Sequence, residues 1–372
     1  MISDDARAPT VWSYSTLSRV EECPRRWWLE RVSAARAPVA GARSSSSSAS
    51  KGRVCHAALE RLLDIHRTLR GPAWGTPEMA LFWRQHLSTE GLPGVVRRAI
   101  AEEIDGLPRP ERLRASAALS EAEPSLVRAV AAMLRVCLSA STGVFEARAE
   151  VPMRAQLTSE ISWVGRIDAA LRVNDDVTLV DFKTGARSES HFDQLLSYAC
   201  AYPLAPETKG RGEPRRLMVI YSTPPPLEVP APGGHELVAA REALVARIIA
   251  ARHALLQAPP PARVEAERCS RCAPRLACDE YWRARDPSAN APQDGVAVEL
   301  EGVVEAVDRA MRTVMLRVSG TRVLAALADS ASLLDCSLGA RARVAGDCRR
   351  ASPEADVEFA VQVPIGGATL VE

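Results

Sequence analysis

The sequence predicts an α/β protein in which a mixed sheet is flanked by helices, carries a helical insertion and ends in a small β-barrel of the OB kind. Three observations predict it. Apolar residues alternate with polar ones between 144 and 183, with Val, Ile and Trp enriched, as half-buried strands require. Before them, from about 52 to 140, apolar residues fall three and four apart, the period of a helix. Beyond residue 295, five short alternating runs crowd into about 75 residues, a count and spacing that suit a small barrel.

In chain order, segment 11–37 runs from a polar Ser/Thr start into an apolar-aromatic stretch holding Trp27 and Trp28. The serine run at 44–48 predicts a flexible loop. The helical region that follows is punctuated by Pro and Gly at 71–77, 92–94 and 106–110. After the strands of 144–183 come a helix at about 189–201, a strand at 217–222 and a proline-rich loop. Next is an amphipathic helix near 235–257, in which Arg241, Arg247 and Arg252 recur at helical spacing and argue against a membrane span. Prolines at 258–261 lead into a Cys-rich segment at 269–278, and a polar stretch at 285–294 precedes the β-rich end. These breaks give one domain over 11–284, with its helical insertion at about 57–140, and a second over 295–372. For the second, a generic small β domain is the alternative to an OB barrel. No fixed-period repeat is present.

Composition narrows the function. At 372 residues, 47% hydrophobic and 25% charged, the chain has ample material for a core and is not a mostly disordered polymer. Forty-seven basic residues against 46 acidic give a net charge of +1, so any nucleic-acid site must be a local patch. Lys occurs only at 51, 183 and 209, which makes Arg the default cation and each Lys informative. None of the three follows a glycine-rich turn as Gly-Lys-Ser/Thr, which excludes a P-loop ATPase. The first ten residues are acidic and lack an apolar core, so no signal peptide is expected. Nine Cys, an odd number in a chain of this size, suit reduced thiols in the cytoplasm, with no membrane partner.

The most informative stretch is WVGRIDAALRVNDDVTLVDFKTG at 163–185. Asn174-Asp175 is a favourable two-residue turn between alternating apolar runs. With that turn Val173 faces Asp176, and the same register carried down the ladder sets Asp168 opposite Asp181. Lys183, two residues beyond Asp181, shares its face. Two carboxylates directly opposite repel, so a shared proton, a nearby cation or a bound metal must offset them. Oxygen ligands so placed suit Mg²⁺ or Mn²⁺, and the adjacent Lys suits a group that stabilises an anion or steers a water.

G-R-I-D at 165–168 and D-F-K-T-G at 181–185 resemble the PD-(D/E)XK nucleases, in their RecB-like branch. The resemblance continues in order: Y-S-T-L-S-R-V-E-E-C-P-R-R-W at 14–27, G-R-V-C-H-A-A-L-E at 52–60 and Q-L-L-S-Y at 194–198 look like the branch's Cys-Pro segment, its glycine-then-histidine helix and its Gln-x-x-x-Tyr motif. It covers about 14–280 and leaves the C-terminal β domain outside. It implies a restriction-endonuclease-like core and metal-assisted hydrolysis of DNA phosphodiesters. His56, Asp168, Asp181 and the main-chain carbonyl of Phe182 would hold one or two Mg²⁺ or Mn²⁺ ions. Lys183 would position or help deprotonate the attacking water, and Gln194 and Tyr198 would orient the DNA backbone or the Lys. Glu150 is similar to the family's upstream acidic position. Only Lys can lose its proton on desolvation, so one of three Lys at this position favours a retained active site.

Cys269-x2-Cys272-x5-Cys278 is a compact thiolate set that lacks a fourth ligand nearby. By analogy Cys23 of the Cys-Pro supplies it, the pattern of RecB-like nucleases that carry a 4Fe-4S cluster, including AddB-type subunits and CRISPR-associated exonucleases. Spacing alone leaves structural Zn²⁺ open. Cys55, Cys137, Cys200, Cys336 and Cys348 read as buried or incidental thiols. Arg25, Arg26 and Arg31 beside Trp27 and Trp28, and Arg268, Arg271 and Arg275 among the Cys, suggest cations that track phosphates. At least one of the two Trp is expected in the core. The β domain has one Phe and no Trp or Tyr, so docking onto a partner protein rivals strand binding there. The implied function is an exonuclease acting on single strands or DNA ends in repair, recombination or anti-phage defence. A non-catalytic subunit of a helicase–nuclease complex and a site-specific endonuclease are the alternatives. Any helicase would have to be supplied in trans.

Overall fold

The computed structural model describes residues 8–36, 47–72, 76–87, 89–139, 145–223, 225–328, 336–352, 356–364 and 367–371. In chain order they form β1 (Val11–Trp12), α1 (Tyr14–Glu22), α2 (Pro24–Arg36), α3 (Ser47–Thr68), α4 (Pro77–His86), α5 (Gly91–Asp105) and α6 (Arg109–Ser139). Then come β2 (Phe145–Gln156), β3 (Ser162–Val173), β4 (Asp176–Lys183), α7 (Ser190–Ala201), β5 (Glu213–Tyr221), β6 (Leu227–Pro230) and α8 (Gly234–Leu255). The chain ends in α9 (Ala266–Ser270), α10 (Asp279–Ala284), β7 (Ala297–Asp308), β8 (Thr313–Val318), β9 (Thr321–Leu327), β10 (Arg341–Arg350), β11 (Phe359–Val363) and β12 (Ala368–Val371). They pack as two compact units, one of Pro9–Leu17 and Arg43–Ala250, the other of Met1–Ala8, Ser18–Ala42 and Ala251–Glu372.

The first unit holds a mixed sheet. β2, β3 and β4 form an antiparallel meander, β5 runs parallel to β4, β6 closes the edge antiparallel to β5, and β1 lies parallel to the start of β3. The β3–β4 turn is at Asn174-Asp175, where Asn174 adopts a φ of +57°, a left-handed conformation Asn tolerates better than most residues. β4 is buried from Val177 to Phe182, Thr178 and Asp181 included, as a strand covered on both faces must be. Its cover on one side is the helical insertion. Val54, Leu59, Leu62 and Leu63 of α3 and Met133 and Leu138 of α6 join Ala169, Leu171, Val180 and Phe182 in one buried cluster. This burial fixes the face of α3 that carries His56 toward the sheet.

The break expected at 71–77 falls between α3 and α4, with 73–75 outside the described residues. The one at 106–110 falls at the junction of α5 and α6, with Arg109 and Pro110 opening α6. The one at 92–94 does not fall where expected. Leu92, Pro93 and Gly94 form the first turn of α5, where a proline loses no hydrogen bond because the first N–H groups of a helix have no partner within it. Part of the serine run is also helical: Ser47 and Ser48 begin α3, while 44–46 lie outside the described residues.

In the second unit the five expected strands close into a barrel. β7, β8 and β9 form a meander, β9 pairs parallel with β11, β11 antiparallel with β10, and β10 returns to β7. This is the five-stranded Greek-key barrel of the OB fold. A sixth strand, β12, adds to β10 and was not expected. Closure brings backbones so near that a Cβ on Gly346 would sit 2.0 Å from the Gln362 carbonyl oxygen, so only glycine fits there. Leu300, Val314, Leu316, Val323, Val344 and Val361 fill the interior. Arg343, 4% exposed, leaves the barrel wall to bond Glu301, Asp279 and the Leu276 carbonyl, while Glu299 accepts from Arg275 and Tyr281. Barrel and Cys-rich segment are thereby fastened together.

Candidate active site

Five elements of the first unit bring the expected residues together. The β3–β4 ladder runs from Val173 opposite Asp176 to Ala169 opposite Val180. The next pair in that register is Asp168 and Asp181, and here a side chain takes over from the backbone: the Phe182 N–H donates to Asp168 Oδ2 at 2.7 Å. On the other side of β3, Ala149 faces Ala169 and Val151 faces Ile167, which sets Glu150 opposite Asp168. Glu150 has a φ of +50° inside a strand. Such a conformation costs about 1–3 kcal/mol and concentrates at functional sites. α3 delivers His56, whose Nε2–H donates to the Phe182 carbonyl at 3.0 Å.

That bond leaves His56 Nδ1 as an acceptor, and what it faces is more acceptors. Asp168 Oδ1 is 3.6 Å away and Glu150 Oε1 3.9 Å. Among the described residues, this is the one place where three His, Cys, Asp or Glu ligand atoms lie within 4.8 Å of one another. Asp181 adds a fourth feature. Lys183 Nζ donates to its Oδ1 at 2.8 Å and lies 2.7 Å from Oδ2 without hydrogen-bonding alignment, so Oδ2 is buried with no donor. Carboxylate oxygens and an imidazole nitrogen converging in this way fit a hard divalent cation with oxygen and imidazole ligands.

The electrostatics agree. Burial is the main cause that pushes Asp168 up to about 6, helped by the Glu150 charge and opposed by the Phe182 N–H and Lys183. Burial, with the Asp168 charge, raises Asp181 to about 6 against the pull of Lys183. Burial lowers His56, which keeps the imidazole neutral and able to ligate. Glu60, one turn beyond His56 on α3, is raised by burial and by Glu150.

Lys183 is held from two sides. Besides Asp181 it donates to Gln194 Oε1 at 3.3 Å, and Gln194 Nε2 donates to the Tyr198 hydroxyl at 3.2 Å. An ammonium has three donors, so one remains for a water or a phosphate oxygen. Gly165, first residue of G-R-I-D, has its reason here: a Cβ would lie 2.6 Å from Tyr198 Cε1. Sequence reasoning placed Glu150 only loosely and missed His191, which bonds Tyr221 through Nδ1 at 2.9 Å. The available signal was spacing, since His191, Gln194 and Tyr198 recur on one face of α7.

The four cysteines fall within the second unit. Cys23, Cys272 and Cys278 are buried and Cys269 is half-buried. Burial pushes the Cys272 thiol up to about 12, Arg26 opposes this, and Cys23, Cys269 and Cys278 are all near enough to add to it. The backbone N–H groups of Arg26 and Arg263 both approach Cys23 Sγ at 3.5 Å. No three of these sulfurs lie within 4.8 Å of one another.

Five of the six arginines around them are engaged in ion pairs. Arg25 is buried, pairs with Glu280 through both terminal nitrogens at 2.7 and 2.8 Å, and donates to the Pro260 carbonyl. Arg26 pairs with Glu22 and Glu30, Arg268 with Glu22 and Glu265, Arg271 with Glu267 and Arg275 with Glu299. Trp27 is in the core, as expected for one of the pair, with Arg31 stacked 3.9 Å from its ring centre.

The family model described as PD-(D/E)XK nuclease superfamily matches residues 11–279 of the chain. Comparison with curated proteins gives no match. Among solved structures, a murine DNA binding protein bound with ds DNA is similar at 13% identity, over 62% of this chain and 100% of that one, with a TM-score of 0.17. RecJ in complex with Mn²⁺ from Thermus thermophilus is similar at 13% identity, over 91% of this chain and 48% of that one, with a TM-score of 0.15. Overlaps this slight do not amount to a shared fold.

Proposed function

The chain belongs to the PD-(D/E)XK nuclease superfamily, and on that premise we propose that it is a metal-dependent DNA exonuclease of RecB-like type, acting on single strands or DNA ends. The observation that carries the proposal is the convergence of His56 Nδ1, Glu150 Oε1 and Asp168 Oδ1, with the unpartnered Asp181 Oδ2 and Lys183 on the neighbouring strand. His56, Asp168 and Asp181, with Glu150 and the Phe182 carbonyl, would hold Mg²⁺ or Mn²⁺. Bound there, the ion makes water a better nucleophile and neutralises charge on the phosphate. Asp181 and Gln194 hold the Lys183 ammonium by two of its donors and aim the third at the attacking water or a phosphate oxygen. Tyr198 locks Gln194 from behind. Water oxygen bonds to phosphorus as one phosphorus–oxygen ester bond breaks, and the leaving oxygen takes up the proton that the water gives up.

The nuclease domain is proposed to span 11–284 and the OB-like domain 295–372. Cys23, Cys269, Cys272 and Cys278 are proposed to carry a 4Fe-4S cluster, with the N–H groups directed at Cys23 supporting the sulfur. The resemblance to RecB-like nucleases, and not the spacing of the four Cys, favours it over Zn²⁺. Among the described residues no helix is long and apolar enough to cross a membrane. The proposed setting is the cytoplasm, in repair, recombination or defence, with any helicase activity coming from another protein. The set His56, Asp168, Asp181 and Lys183 is complete, which speaks against a non-catalytic subunit.

Anaerobically purified protein, given end-labelled linear DNA and covalently closed circles with Mg²⁺ or Mn²⁺, tests the reading. Linear DNA should disappear while circles persist, and EDTA should stop the loss. Cut circles would indicate an endonuclease instead. Iron and sulfide content with visible absorbance on the same sample should report a cluster, and stoichiometric zinc would refute it.

A further inference from the structure

Lys183 and Tyr221 end the parallel neighbours β4 and β5 and pair directly. The crevice beyond the carboxyl ends of parallel strands is where such sheets receive ligands. Tyr221 is 3% exposed, and its hydroxyl lies 2.9 Å from His191 Nδ1. The Tyr221 hydroxyl is able to donate to Nδ1 or accept from it; in the tautomer that carries its proton on Nε2 it donates, and the imidazole presents one N–H donor outward. Burial, with the Lys183 charge nearby, holds His191 below its ordinary pKa, which keeps that donor neutral. The same Tyr221 ring carries the Arg187 guanidinium 5.4 Å from its centre, and Arg187 is further tied to the Pro225 carbonyl at 2.8 Å. Arg187 is exposed and has no carboxylate partner among the described residues. The start of α7 is itself pinned, because the Tyr14 hydroxyl donates to the Ser190 carbonyl at 2.7 Å.

The hydrolytic reading uses neither group. We propose that Arg187 and His191, both braced by Tyr221, form a second phosphate-binding position for the DNA strand being cut, next to the position served by Lys183. One contributes a full charge with a planar fork, the other a neutral N–H, and both are pre-ordered on a buried ring. The proposal deepens the nuclease reading and rests on it for the identity of the ligand as a DNA strand.

Binding and turnover are read separately. Affinity for a labelled single-stranded oligonucleotide is measured in EDTA across a salt series, so no cleavage is needed. Arg187→Ala should reduce the slope of log affinity against log salt by about 0.7, the share of one single-strand phosphate. His191→Ala should weaken binding about tenfold, the worth of one hydrogen bond to a charged oxygen, with the slope unchanged. His191→Gln, which keeps a donor, should recover part of that loss. With Mn²⁺, both alanine variants should raise KM and leave kcat within about twofold, because they bind a phosphate that does not react. Wild-type slope, affinity and KM in both variants, while wild type cleaves, would overturn the subsite and leave the nuclease standing. The expected binding changes in a wild type that never hydrolyses DNA would keep the subsite and sink the hydrolytic reading.

Discussion

Asp181 carries two opposing demands. Its position opposite Asp168 and beside a buried, donor-free site is unfavourable for an empty protein and favourable for one holding a cation. Both carboxyls are raised from 3.8 to about 6 in the fold, so between about pH 4 and 6 the folded chain binds more protons than the unfolded one. Their contribution to stability therefore falls as pH rises through that window and stays lost above it. Asp181→Asn should raise the melting temperature of the metal-free protein near pH 7, a gain that fades toward pH 4, and should abolish the upward shift that Mn²⁺ gives the wild type. Thermal melts with and without Mn²⁺ at both pH values measure this, and a metal-free variant melting below wild type near pH 7 contradicts it. Gly165→Ala drives a methyl into Tyr198, at a cost of about 1–3 kcal/mol for overpacking, and should lower kcat by shifting Gln194 away from Lys183. A melt beside a kinetic run tests the link, since unchanged kcat would mean Tyr198 does not set the Lys. Asp168, Asp181 and Lys183 were legible because strand period and a two-residue turn are arithmetic. Glu150 was legible only through the resemblance and in a loose register, because its left-handed φ leaves no mark on the alternation of apolar residues.

Elements differ in how far their surroundings show in their own residues. The β3–β4 hairpin and the five barrel strands were readable because each alternates and is bounded by turn residues. β12 has four half-buried residues and little alternation to reveal it. The break expected at Pro93 failed because proline punctuates a helix interior and fits its first turn. The fastening of barrel to Cys-rich segment was invisible for another reason: Arg343 reaches Asp279 and Arg25 reaches Glu280 across 64 and 255 residues. Arg343→Ala should cost about 3 kcal/mol, the low end for breaking a buried pair because its acidic partners are partly exposed. It should also loosen the segment that carries Cys272 and Cys278. Denaturation followed by tryptophan fluorescence, with Trp282 lying 5.0 Å from the Arg343 guanidinium, reports both. A variant as stable as wild type would show that the contact contributes nothing to the fold.

At the scale of the molecule, a net charge of +1 said that DNA affinity must be local, and of the arginines most suggestive by sequence Arg25 and Arg275 are held in part-buried ion pairs. Beside the site, Lys183 keeps a donor beyond Asp181 and Gln194, and Arg187 is exposed with no carboxylate partner among the described residues. Absence of a Gly-Lys-Ser/Thr motif leaves hydrolysis without ATP coupling in this chain. Everything above therefore turns on whether the site around Asp168, Asp181 and Lys183 cuts DNA. The most direct measurement compares wild type with Lys183→Ala on one end-labelled DNA, reading hydrolysis with Mn²⁺ or EDTA and binding in the same samples. Metal-dependent loss of label by wild type alone, with binding retained in the variant, is the predicted result. Equal cleavage by Lys183→Ala, or no cleavage by folded, metal-loaded wild type, would contradict the nuclease assignment.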